Sequence, residues 1–307
     1  MNFKKLPIVA VTSALMAAPT LANAWYWDDR EEIDLDEAQL YFELNDTDGD
    51  LGIHGKADGD AWKRMKIEAP NERTLLNIWV RSKLKRQGLT ELFFESSEPT
   101  FDELDPEVFF ARFPEGVYEW EGLTLDGKES EGEMLLSHII PAAPVVASVG
   151  EGDEQENPGF EIEDGEREKV CWEEIETLAD GSVVIEWEVV TESHYDKWSN
   201  PDNEPLENEA KIPLGKSGEI GEIIFYEFVA EIDDTDFKST AVVSSDTNSW
   251  TIPGSFIELA EADEEGEREI KFEIIVRVES GEGEDDDGEA VDSAPGNQSA
   301  VEDCFVI

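Results

Sequence analysis

The sequence predicts a mainly β protein, with two sandwich-like β domains in tandem and one short helix near residues 102–112. Apolar residues alternate with polar ones over short runs instead of recurring every 3.6 positions, which is the signature of half-buried strands. Those runs are punctuated by Gly, Pro, Asp and Asn, the residues of tight turns. With 307 residues, nine Trp and fifteen Phe, the chain has apolar material for two packed domains of about 120–150 residues.

The first 24 residues read as a signal peptide. Lys4 and Lys5 precede an apolar run, Leu6 to Ala18, and Ala22-Asn23-Ala24 supplies a small-x-small cleavage site. The run is too short to span a bilayer, and nothing later approaches about 18 continuous apolar residues. The mature chain is therefore expected to be exported, to the periplasm or beyond the cell, without a membrane span.

An N-terminal β domain is expected over 25–140. Trp25 to Asp36 is an aromatic and acidic lead-in, read as poorly fixed. Ala38 to Leu44 is a strand or short helix leading into an acidic, glycine-containing loop. Trp62, Met65 and Ile67 mark a strand, and Thr74 to Leu84 another, with Leu76, Ile78, Val80, Ser82 and Leu84 on one face. Gln87-Gly88 turns into Leu89 to Glu95, completing a hairpin. Thr100-Phe101-Asp102-Glu103 has the capping-box pattern and Pro106 follows, so Asp102 to Arg112 is the expected helix. Val117 to Leu125 and Glu131 to Ile140 form paired strands around Asp126-Gly127-Lys128. Pro141-Ala142-Ala143-Pro144 is stiff and short, a boundary that would couple the domains closely.

The second domain is expected over 141–307. Gly150 to Glu168 reads as a mobile acidic loop. Strand character returns at Val170 to Thr177, Ser182 to Thr191, Glu219 to Ile232, Ser249 to Leu259, Ile270 to Glu279 and Ala300 to Ile307, with an extreme acidic insertion at Gly281 to Glu289. The run S-V-V-I-E-W-E-V-V, Ser182 to Val190, resembles the second strand of a fibronectin type III-like sandwich with Trp187 as the core tryptophan. Ile270 to Gly281 and Gly296 to Ile307 resemble that family's last two strands. The chain departs from the pattern in carrying Phe272 in place of a corner tyrosine and in lengthening the last connection. The resemblance implies a binding or spacer module without catalysis of its own, and implies no ligand.

The formal charge is −53; without Lys4 and Lys5 the mature chain sets 21 bases against 76 acids, a charge of −55. That argues against nucleic acid and anionic membranes as partners. It fits a cation-rich setting, a marine or halophilic bacterium, where salt screens self-repulsion.

Asn45 to Asp60, N-D-T-D-G-D-L-G-I-H-G-K-A-D-G-D, is the sequence's candidate metal site. Carboxylates at alternate positions suit Ca2+. Against an EF-hand loop, Asp46, Asp48 and Asp50 match the first three ligand positions, Gly52 offers its carbonyl, and Ile53 the apolar position. Leu51 replaces the turn glycine and Ala57 the bidentate glutamate, so Asp58, Asp60 or Glu43 would have to supply the missing carboxylate. The expected role of calcium is structural, and a solvated acidic turn is the alternative.

Cys171 and Cys304 are the two cysteines; in an oxidising compartment a pair is expected to bond, two separate buried thiols being the alternative. Trp79, Arg81, Lys83 and Lys85 are read as sharing one strand face, an anion-binding surface or a solvated patch offsetting nearby acids. His54, His138 and His194 lack metal-site spacing, and no catalytic motif is present. Trp198 and Trp250 are candidates for sugar stacking or for core packing.

These readings give a secreted, non-catalytic binding or surface-interaction protein stabilised by calcium. Its expected partner is a protein or polysaccharide surface, including other copies of itself. A self-assembling matrix subunit and a carbohydrate-active or carbohydrate-binding accessory protein are the alternatives.

Overall fold

In a computed structural model, the residues described are 30–151, 157–163, 166–203, 205, 211–232, 235–262, 266–284, 290–291 and 293–307. The expected signal peptide and most of the 281–289 insertion lie outside them. The strands of the N-terminal part are β1 (Glu32–Asp34), β2 (Glu37–Asn45), β3 (Asp50–Glu68), β4 (Thr74–Trp79), β5 (Leu89–Glu95), β6 (Gly116–Thr124) and β7 (Glu129–Leu136). Its helices are α1 (Ser82–Gln87) and α2 (Pro106–Phe110).

β3 organises this part. Its 19 residues pair with β2 and then β6, while β4 and β5 also pair antiparallel with β3. The registers run from Thr74 opposite Glu68 to Glu95 opposite His54, so β4 and β5 lie end to end along β3 with α1 as a detour between them. The expected hairpin is thereby corrected. Lys83-Leu84-Lys85-Arg86-Gln87 are strong helix formers, the basic pair Lys85 and Arg86 falls in the last turn, and Gly88 leaves the helix at φ 84°. Local propensity wins there because no α1 residue is buried, so the sheet offers nothing in exchange.

The expected helix is shorter than 102–112. Its cap is Asp105, which accepts a hydrogen bond from the Glu107 amide at 2.8 Å, with Pro106 in the first turn. β6 and β7 pair around Asp126-Gly127-Lys128 as expected, with Gly127 at φ 101°. β1 pairs parallel with β7, so the end of the lead-in is fixed.

In the C-terminal part follow β8 (Val145–Val149), β9 (Phe160–Glu163), β10 (Glu166–Lys169), β11 (Val183–Glu188), α3 (His194–Ser199), β12 (Ile223–Glu231), β13 (Lys238–Ser244), β14 (Ser249–Ile252), α4 (Gly254–Ile257), β15 (Glu269–Glu279), β16 (Gly283–Glu284), β17 (Ala290–Val291) and β18 (Pro295–Val306). β14-β11-β8 form a three-stranded sheet, and β18-β15-β12-β13 close the end of an eleven-stranded one. Inward residues of both sheets share a core: Val146, Val183, Ile185, Trp187 and Ile252 meet Tyr226, Phe228, Ile270, Phe272, Ile274 and Phe305. This is a fibronectin type III-like sandwich, and Trp187 is its core tryptophan, 1% exposed and 5.5 Å from the Tyr226 ring. Phe272 stacks on Phe228 at 5.7 Å.

Val170 to Thr177 is corrected: it makes a bridge at Trp172 opposite Phe305 and no strand. The segment expected to be a mobile loop instead contains the β9–β10 hairpin. Cys171 and Cys304 are bonded to each other, as expected.

Buried apolar residues divide near Pro141. One cluster runs from Leu40 to Ile140 with Leu214 added, the other from Ala142 to Phe305. The sheet crosses that division, because β18 pairs parallel with β2, Gln298 to Ala300 opposite Glu43 to Asn45. Glu32–Ile307 accordingly forms one compact unit.

Candidate functional site

The stretch expected to be a calcium loop is a strand for most of its length. Leu51, Ile53 and Ala57 are buried and pair with β2, so only Asp46-Thr47-Asp48-Gly49 turns. Asn45 Oδ1 accepts from the Thr47 and Asp48 amides at 3.1 and 3.3 Å, and Gly49 takes φ 69°. Thr47 ties the tip to β18, its hydroxyl accepting from the Glu302 amide at 2.8 Å.

The six expected ligands do not converge. Asp46 turns inward to Lys211 Nζ and to His194 Nε2, the latter at 3.0 Å. Burial alone would raise its pKa, but Lys211 and His194 outweigh this and hold the carboxyl well below the usual range. Asp46 is therefore corrected from metal ligand to the centre of a buried ion cluster. Asp58 and Asp60 lie eight and ten residues beyond Asp50 along an extended strand, roughly 26 and 33 Å away at full extension. Asp58 Oδ1 instead accepts from the Gly59 amide at 2.8 Å.

What does converge is a group the spacing did not reveal: Glu43, His54 and Glu98. Glu43 on β2 lies opposite Gly52 on β3, and His54 is the next residue on that face. A Cβ at position 52 would overlap Glu98, so the glycine admits that carboxylate over the strand. Glu98 Oε1 lies 2.9 Å from His54 Nε2, and Glu43 Oε2 lies 3.7 Å from His54 Nδ1. Glu43, His54 and Glu98 bring one ligand atom each to within 4.8 Å of one another.

The electrostatics show carboxylates crowded in a partly buried setting. Asp50 is pushed up to about 7 by burial, then by Glu98, Asp48, Glu302 and Glu43. Glu43 is raised by burial against the pull of His54. For His54, burial works to lower the pKa, but the Glu98 hydrogen bond and the two glutamates raise it. Along the same face, Glu273 on β15 stands opposite Glu302 on β18; burial and then Glu302 and Glu43 push Glu273 to about 8.

A contrasting trio, Glu68, Glu119 and Glu121, gathers near Lys66, whose ammonium pairs with Glu68 and with Glu121 at 3.2 Å. Among the described residues the cationic side chain paired with Glu43 and Glu98 is His54. Hard carboxylates drawn together without a lysine or arginine suit a divalent cation.

The other expected sites change character. Trp79 ends β4 and is 52% exposed beside Arg64, while Arg81 caps α1 and Lys83 and Lys85 lie on it. Residues two apart on a helix point about 200° apart, so the single strand face is corrected. His138 hydrogen-bonds the Phe113 carbonyl at 2.8 Å and packs on Phe110, a structural role. Trp250 packs against the C-terminal core. Trp198 instead lines a cavity.

No protein family matches the sequence, and no curated protein matches it. Among solved structures the chain is similar to the FN1–FN3 domains of chicken CNTN1, at 8% identity and TM-score 0.26, covering 90% of this chain and 68% of that one. It is also similar to the fibronectin(III)-like modules of Clostridium thermocellum CbhA, at 7% identity and TM-score 0.22, covering 87% and 91%. The sandwich assignment rests on strand order and core. Among the described residues no helix is long and apolar enough to cross a membrane.

Proposed function

We propose that this chain is an exported, non-catalytic binding or surface-interaction protein whose N-terminal β part is fixed by a divalent cation, calcium in the first instance. Glu43, Asp50 and Glu98 are the carboxylate ligands, and His54 orients Glu98 through its hydrogen bond. The observation that carries the reading is the convergence of Glu43, His54 and Glu98 over Gly52, the two glutamates also acting electrostatically on Asp50. A cation there offsets the burial, and after it the carboxylate repulsion, that raise the Asp50 and Glu43 pKa values.

The Cys171–Cys304 bond supports an oxidising compartment, and the charge of −53 supports a cation-rich one. The partner is a protein or polysaccharide surface. Thermal unfolding at fixed ionic strength, with calcium or chelator, tests the cation; Zn2+ run alongside tests His54. Zinc stabilisation lost in His54→Gln while calcium stabilisation survives would place the imidazole in a zinc coordination shell. Loss of both would make His54 essential to positioning the carboxylates, and no stabilisation by either ion would remove the proposal.

A further inference from the structure

A cavity of about 250 Å3 opens between α3, the β9–β10 hairpin and β18, and three lysines line it together with Asp46, Asp202, Glu302 and Asp303. Lys169, Lys197 and Lys211 all line it, with Phe160, Trp198 and Asn203. Two of the lysines have partners: Lys169 pairs with Asp303 at 3.3 Å, and Lys211 pairs with Asp46.

Lys197 differs. Its ammonium sits over the Trp198 ring, 5.0 Å from the centroid, and makes no hydrogen bond or ion pair among the described residues. Asp46, Glu188 and Glu192 act on it from beyond ion-pair distance. The neighbouring Trp198 Nε1–H is also buried without an acceptor among the described residues. A half-buried ammonium held by a ring face and a buried indole N–H without an acceptor among the described residues are each costly, and both are relieved by an acceptor carrying negative charge. Burial lowers the Lys197 pKa, as expected for an ammonium awaiting a counter-ion.

We propose that this cavity binds a small organic monocarboxylate, its anionic end held by Lys197. The lining gives the class. Pro144, Val145, Phe160 and Val301 supply apolar walls for an organic body. The volume lies below the roughly 300–1,000 Å3 of pockets for drug-sized ligands, so that body is about the size of a single ring. The surrounding field of a chain at −53 disfavours polyanions and leaves a single charge as the acceptable one. The site shares no proposed ligand with the cation cluster, so either can fail alone.

The test is calorimetric titration of the full mature protein, disulfide intact, at fixed ionic strength, with sodium galacturonate and sodium benzoate as ring-bodied carboxylates. Galactose is the neutral control and inorganic phosphate the competing anion. Saturable binding of at least one carboxylate is expected, with none for galactose. Lys197→Met should weaken it about tenfold or more, and Lys197→Arg should largely retain it. Galacturonate alone would identify an acidic sugar as the source, and benzoate alone an aromatic acid; either supports the site. Because Lys197 makes no ion pair among the described residues, Lys197→Met should fold with an unchanged or higher Tm. No saturable binding of either carboxylate in the millimolar range, tighter binding of phosphate, or undiminished binding by Lys197→Met would overturn the proposal. A markedly lower Tm for Lys197→Met would also overturn it, by showing that the ammonium already has a partner.

Discussion

Replacing Asp46 with alanine strands two buried basic groups at once. The Asp46 side chain is 10% exposed, Lys211 8% and His194 1%, so the lost carboxylate cannot be replaced by bulk water. Removing one partner of a buried pair typically destabilises by about 3–5 kcal/mol. For a chain of this size that corresponds to a Tm lowered by roughly 6–20 °C. Asp46→Asn, which keeps part of the hydrogen bonding, should lose less. The pH signature follows from the depressed pKa. The stabilisation is present above the unfolded carboxylate value and disappears as pH falls through the folded one. The assay is urea and thermal unfolding at pH 7, with calcium and with chelator. The loss should be equal in both conditions, since Asp46 is occupied by Lys211 and His194. A loss below about 1 kcal/mol, or one confined to the calcium-loaded protein, would refute the assignment of Asp46 to an ion cluster.

Reduction of Cys171–Cys304, which spans 133 residues, should lower stability by about 5 kcal/mol in the chain-entropy account; unfolding with and without reductant measures it, and an unchanged midpoint would contradict it. Asp50 and Glu273 carry pKa values raised to about 7 and about 8. Their contribution is therefore fully present below the unfolded carboxylate range and lost as pH rises through those values. In chelator the Tm should fall between pH 5 and 8, and Asp50→Asn with Glu273→Gln should flatten the profile; an equally steep profile in the double variant would count against it.

Alternation exposed the strands that carry the sandwich. Trp187 in β11, Phe272 and Ile274 in β15, and Phe305 in β18 all face the core. The disulfide was legible from two cysteines in a chain expected to be exported. Of β3 only the stretch around Trp62 to Ile67 was; its first half was not, because Gly52, Gly55 and Gly59 read as loop punctuation. Their reason is tertiary: Gly52 makes room for Glu98, and Gly55 for the Phe94 ring. α1 was missed for the opposite reason, since apolar spacing that continued from Ile78 to Val80 and Leu84 masked a locally helical segment. The candidate site was half legible. Asp50, Gly52 and the reserve ligand Glu43 were in view, but Glu98 reaches His54 across 44 residues and Lys211 reaches Asp46 across 165. Pairings at that range come from strand order, and strand order does not show in local pattern.

The cation site itself is tested most directly by thermal unfolding of the wild type and Glu98→Gln, in calcium and in chelator at one ionic strength. At a hundredfold excess over Kd, calcium should stabilise the wild type by about 2.7 kcal/mol, a Tm rise of roughly 5–10 °C. Glu98→Gln should lose most of that rise. A wild-type Tm indifferent to calcium, or a Glu98→Gln protein that responds as fully as the wild type, would contradict the account.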